Sequence, residues 1–133
     1  MTPQILATAL NQFDAGYLRG AALMLENRLK RDDSLASAAP KRTASVARLP
    51  WDIIQKEDSP RAEQHAAALK DFFNQVEASD ALDRDRRGGM RLLIKQMMGS
   101  AFGEKEAHEL IWTPGRNDAR VECRRVPLYF FGS

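Results

Sequence analysis

Glu104, Glu106, His108 and Glu109 place three carboxylates and an imidazole within six residues. These side-chain types ligate a divalent cation or relay a proton when they converge on one atom. If the stretch 107–113 is a strand, alternation sends His108 and Glu109 to opposite faces, and convergence fails. Cys123 is the single thiol. A nucleophilic cysteine needs a nearby base and an electropositive pocket, and here only Arg124 and Arg125 supply charge, so a structural thiol is expected. With two histidines, His65 and His108, and one cysteine, little remains for a zinc site. No Ser/His/Asp or Cys/His constellation can be assembled. The expectation is therefore no catalytic residue, no metal and no cofactor, that is, not an enzyme. A hydrolase built on His108 and Glu109 is the weakest of three functional readings.

Two further groups bear on ligands. The tract Asp83-Arg84-Asp85-Arg86-Arg87-Gly88-Gly89-Met90-Arg91 resembles a glycine-rich loop opening a helix, which can cradle phosphate through backbone N–H groups. It lacks the Walker Lys-Ser/Thr and the GxGxxG spacing, and no strand is apparent before it, so a solvated loop is the simpler reading. Lys41, Arg42 and Arg48 form a basic patch without an acid among them. Together with Arg84, Arg86, Arg87 and Arg91 they are the expected contacts if the chain meets nucleic acid or an acidic partner, against the plainer reading of a solvated face. Trp51 and Trp112 read as core anchors at element edges.

The elements that must position these groups follow from periodicity. Thr2-Pro3 starts a helix to about Asn11 or Phe13, and Gly16 punctuates it. Leu18, Ala21, Ala22, Leu25 and Leu29 share one stripe of a second helix, from about Tyr17 to Arg31, with Arg28, Lys30 and Arg31 at its cation-favouring end. Asp32, Asp33 and Ser34 offer caps for a third, kinked at Pro40 and ended by Leu49-Pro50. Trp51 to Lys56 has strand character. Ser59-Pro60 opens an amphipathic helix expected to run to about Ser79, and Met90 to Phe102 another. Ala107–Thr113 and Arg120–Val126, around the turn signal Pro114-Gly115-Arg116-Asn117-Asp118, read as a hairpin. The apolar run Leu128–Phe131 stops two residues before position 133.

The expected fold class is α+β: a mostly helical N-terminal part, a short strand near 51–56 and a C-terminal hairpin near 107–126. One domain over 1–133 is expected, since 133 residues suffice for a single core. Apolar residues make up 44% and charged ones 29%, which excludes a disordered or collagen-like chain. A formal net charge of +2 is too small to imply a nucleic-acid partner from bulk electrostatics. The opening residues lack a secretory signal, and no apolar run approaches the roughly 18 residues of a membrane span. An intracellular setting without membrane association is expected.

Taken in order, the motifs resemble the N-terminal region of the Mu-type phage portal protein family, from Thr2 to Phe131. Thr2-Pro3-Gln4-Ile5-Leu6 is similar to the family's "LTPE-x-L" helix, and Gly16-Tyr17-Leu18-Arg19 to its "G-D-L" stretch before a helix ending in "x-x-R-D", here Arg31-Asp32. Lys41-Arg42 through Leu49-Pro50-Trp51-Asp52-Ile53 resembles an arginine-bearing helix followed by "LPW-x-I". Glu109-Leu110-Ile111-Trp112 and Val126-Pro127-Leu128-Tyr129-Phe130-Phe131 resemble the "E-I-x-W" and "P-x-x-F" segments. Pro40, and Glu104-Lys105-Glu106 in place of a glycine and a small hydroxyl residue, depart from the pattern.

The resemblance implies a structural and assembly protein of a phage or prophage, corresponding to part of a portal wing with the stem and clip absent. In full-length relatives it implies a ring at one capsid vertex through which DNA is packaged. The implied partners are other portal subunits, terminase and neck proteins, with DNA met weakly if at all, and the implied location is the bacterial cytoplasm or the virion. A stable ring formed by this chain alone is not expected. The alternative is a small nucleic-acid-binding or regulatory protein using the seven basic residues named above.

Overall fold

The computed structural model describes residues 2–103, 105–114 and 119–131. Helix α1 (Pro3–Asp14) begins with proline at its first position, where a missing N–H costs nothing. Thr2 occupies the cap position, but its hydroxyl makes no capping bond. The C-terminus closes with two bonds, Tyr17 N–H to the Gln12 carbonyl (2.8 Å) and Gly16 N–H to the Phe13 carbonyl (3.0 Å). That reversal requires a left-handed residue, and Gly16 supplies it at φ +94°.

Helix α2 (Leu18–Arg31) packs back on α1, and α3 (Asp33–Ala47) follows after Asp32, whose carboxylate accepts the Leu35 N–H at 3.1 Å. Helix α3 continues through Pro40 instead of ending there. The Pro40 carbonyl accepts the hydroxyl of buried Thr43 at 3.1 Å. Helix α4 (Pro60–Asn74) is capped by Ser59, which accepts the Ala62 N–H at 3.2 Å.

Strand β1 (Glu77–Asp80), helices α5 (Met90–Met97) and α6 (Ser100–Gly103), strands β2 (Ala107–Pro114) and β3 (Ala119–Val126), and a 3-10 turn (Leu128–Phe130) complete the chain. The sheet order is β1-β3-β2, with β3 central, parallel to β1 and antiparallel to β2. The fold is α+β, as the sequence indicates, and the hairpin register pairs Leu110 with Cys123 and Trp112 with Val121. The turn residues 115–118 lie outside the described residues.

Pairing puts Ala78, Val121 and Cys123 on one face of the sheet, where they form a core with Val76 and Leu93. Phe72 and Phe73 from the end of α4, with Met90 and Leu92 from α5, pack around it. Burying a large aliphatic or aromatic side chain contributes about 1.5–3 kcal/mol, so this cluster anchors the sheet to α4 and α5.

Four expectations are corrected. Residues 51–56 form no strand: Trp51 meets Phe73 edge-on at 6.1 Å and Asp52 pairs with Lys70 at 2.6 Å, so side chains tie the segment to α4 and leave no ladder partner. Ile54, which with Trp51 and Ile53 gave the segment its β character, is 89% exposed. Helix α4 stops at Asn74, not near Ser79, because Val76, Ala78 and Ser79 are buried alongside β3. The helix expected over 90–102 breaks after Met97; a Cβ at Gly99 would collide with the Glu106 carboxylate, so glycine permits that close approach. Neither tryptophan is a buried anchor: Trp51 is 37% exposed, and Trp112 is 58% exposed on β2, with its ring stacked on Phe72 at 6.2 Å.

Candidate interaction site

Arg125 is the hub that links the two paired strands β3 and β1 to the segment leading into β2. It extends β3 toward Glu106, with Nε 3.2 Å from Oε2, and toward Asp80 of β1, with Nη1 3.6 Å from Oδ2. The Asp80 side chain is 4% exposed and is approached by a second guanidinium, Arg86, also at 3.6 Å. Its other oxygen accepts the Leu82 N–H at 2.9 Å. Burial opposes the charge of Arg125, but Glu106 and then Asp80 outweigh it, and its pKa is raised. Two carboxylates and two guanidiniums thereby satisfy one another, as partly buried charges must.

His108 sits opposite Arg125 in the hairpin. Burial, and then the charge of Arg125, lower its pKa, while Asp80 works in the other direction. Its Nε2 is buried without a hydrogen-bond partner among the described residues. Glu109, the neighbour on the opposite face, pairs with Arg124 at 3.6 Å. Arg124 also binds Glu122, whose pKa is lowered first by the Ser79 hydroxyl and further by Arg124. The acidic cluster read from the sequence is thus divided between two arginines on two faces, and Glu104 lies outside the described residues. Cys123 is buried in the core, where desolvation raises the thiol pKa.

The seven candidate basic residues do not form one patch. Lys41 and Arg42 are exposed on α3, and Arg84 is exposed in the loop after β1. Arg86 belongs to the Asp80 pair, and Arg87 lends its field to Glu122. In the glycine tract, Gly88 exchanges both backbone bonds with Ala78 at 2.6 and 3.0 Å, so its N–H is committed to the sheet edge instead of a phosphate. Only Arg48 and Arg91 come together, across a cleft of about 420 Å³ that also presents Trp51, Asp52, Lys70 and Asn74. Sequence reasoning named those two arginines but missed Lys70 and Asn74, which only the docking of 49–52 onto α4 makes neighbours. It also missed Arg125 and Asp80. The one available signal was two adjacent arginines in a strand, where alternation sends one to the inner face.

A larger cleft of about 890 Å³ lies between α1, α2, α3 and the α5–α6 bend, with apolar walls that include Leu25, Leu29 and Tyr129. Arg86, Gln96 and Arg125 are among its polar lining residues. Gln96 is buried and donates from Nε2 to the Ser79 carbonyl at 2.8 Å, which locks α5 to β1.

Helices packed on a three-stranded sheet through an apolar cluster and the Gln96–Ser79 bond define a small α+β unit. Residues 23–133 match the family described as the portal protein of Mu bacteriophage. This is the greater part of the chain, which belongs to that family and has a portal-like, structural role. The match begins at Leu23, so α1 and the Gly16-to-Arg19 stretch lie outside it. No curated protein and no solved structure gives a significant match. Among the described residues, no helix is long and apolar enough to cross a membrane.

Proposed function

We propose that the chain serves in a phage portal assembly, associating with other portal subunits in the ring at a capsid vertex through which DNA is packaged. The observation that carries this reading is the family match over residues 23–133, which takes in α3 and everything after it, including the sheet and the Arg125 network. Terminase and neck proteins are the further partners on this reading, and the setting is the virion or the cytoplasm of the host.

The role is non-catalytic. Supporting this, the groups that read as reactive in the sequence are committed elsewhere: Cys123 to the core, Glu106 to Arg125 and Glu109 to Arg124. Sedimentation velocity with a longer Mu-type portal protein tests the proposal. Alone, the chain is expected to sediment as a small species; mixed, it is expected to move with the longer subunit. Failure to co-sediment at any ratio would count against it, and a large closed oligomer of the chain alone would show that it needs no other subunit.

A further inference from the structure

The cleft between the end of α3 and the start of α5 has a composition that the structural role does not use. Arg48 follows the last turn of α3, and Leu49 to Asp52 line the cleft after it. Lys70 and Asn74 come from one face of α4, and Arg91 from the first turn of α5. Three cations face one carboxylate. Lys70 is neutralised by Asp52 at 2.6 Å, and that contact holds the Asp52 pKa down. Arg48 and Arg91 have no ion-pair partner among the described residues, so the cleft keeps two uncompensated guanidiniums.

Beside them stands an aromatic surface. Trp51 is 37% exposed, meets Phe73 edge-on, and has no ring stacked on it among the described residues. Guanidiniums bind phosphate oxygens in bidentate fashion, an indole face stacks a planar base, and a carboxamide such as that of Asn74 can pair with a base edge. The cleft volume of about 420 Å³ falls within the range of small-ligand sites.

We infer that this cleft binds a nucleotide, with the phosphate held by Arg48 and Arg91 and the base laid on Trp51. The same chemistry is offered by a free nucleoside monophosphate and by one unit of a single-stranded nucleic acid. This inference is independent of the portal reading, since nothing in it depends on contact with another subunit.

The test is a fluorescence titration of the full chain carrying Trp112→Phe, which leaves Trp51 as the sole indole. The probes are adenosine monophosphate, inorganic phosphate, an oligothymidylate and polyglutamate. Quenching of Trp51 that saturates with adenosine monophosphate or with the oligonucleotide is the expected result. Response to the monophosphate points to a free nucleotide, and response to the oligonucleotide alone points to a strand. Arg48→Ala and Arg91→Ala are each expected to weaken that binding by about tenfold or more, the usual effect of removing a charge-assisted hydrogen bond.

With two phosphate contacts and a single-strand slope of about −0.7 each, affinity for the oligonucleotide should fall about sevenfold from about 50 to about 200 mM salt. Calorimetric titration of the unsubstituted chain repeats the measurement should Trp112→Phe disturb folding. Three outcomes overturn the inference: no saturable binding of either nucleotide probe, inorganic phosphate or polyglutamate binding as tightly as the nucleotides, or affinity unchanged in both arginine variants.

Discussion

Replacing Arg125 with methionine keeps most of the side-chain volume but removes the charge on which Asp80 of β1 and Glu106 converge. Glu106, with 13% of its side chain exposed, is left without a cation among the described residues, and Asp80 keeps only Arg86 at 3.6 Å and the Leu82 N–H. Breaking a fully buried ion pair from one side costs about 3–5 kcal/mol, because the remaining charge is stranded. Here the Arg125 side chain is 30% exposed and its contacts run from 3.2 to 3.6 Å, so water recovers part of that loss. The expected cost of Arg125→Met is about 2–3 kcal/mol.

For a chain of this size each kcal/mol moves the melting temperature by about 3–5 °C, which gives a fall of about 10 °C. Urea titration and thermal melting followed by far-ultraviolet circular dichroism measure both quantities. Stranded charge also sets the sign expected of a second variant. In Arg125→Met combined with Glu106→Gln and Asp80→Asn no carboxylate is left uncompensated, so the triple variant should be more stable than the single one. A loss below about 0.5 kcal/mol for the single variant, or a triple variant less stable than it, would refute the reasoning.

Three further outcomes follow from the same geometry. Burial lowers the His108 pKa, so the unfolded chain takes up a proton there before the folded one does; stability should be lost as pH falls through about 6.5, and His108→Gln should show a smaller drop in melting temperature between about pH 7.5 and about 5.5. Gly16 has open space around it, so Gly16→Ala costs only the left-handed backbone penalty, about 1–2 kcal/mol in urea unfolding; an unchanged midpoint would deny the α1 cap its geometry. Cys123 is buried with a raised pKa and should react with a disulfide reagent at about neutral pH at least about tenfold slower in the native chain than in urea, whereas equal rates would place the thiol at the surface.

What could be read from the sequence was what local chemistry dictates. Ser59-Pro60 and Asp32 fix helix starts through their own side chains, and Gly16 ends α1 through its own backbone freedom. Ala107 to Val126 is a hairpin because its two strands are neighbours in sequence. Strand β1 was not legible, since Glu77-Ala78-Ser79-Asp80 has little β propensity and becomes a strand by lying parallel to residues 122–125. The same distance hid the Asp80–Arg125 contact and, with it, the reason the acidic cluster near His108 converges on nothing.

Conversely, Trp51, Ile53 and Ile54 carry β propensity without receiving a ladder, because Trp51 and Asp52 are anchored to α4. The candidate basic residues show the same limit. Arg48 and Arg91 meet only through packing of α3 on α5, while Lys41 and Arg42, their sequence neighbours on α3, point to no common cleft with them.

The portal role itself is tested most directly inside an assembling phage. Heads of a Mu-type phage would be purified from cells expressing an epitope-tagged copy of the chain, and their proteins identified by mass spectrometry. The tagged chain is expected in the head fraction, at levels that survive a high-salt wash. Its confinement to the free protein fraction, with heads of normal composition, would contradict the account.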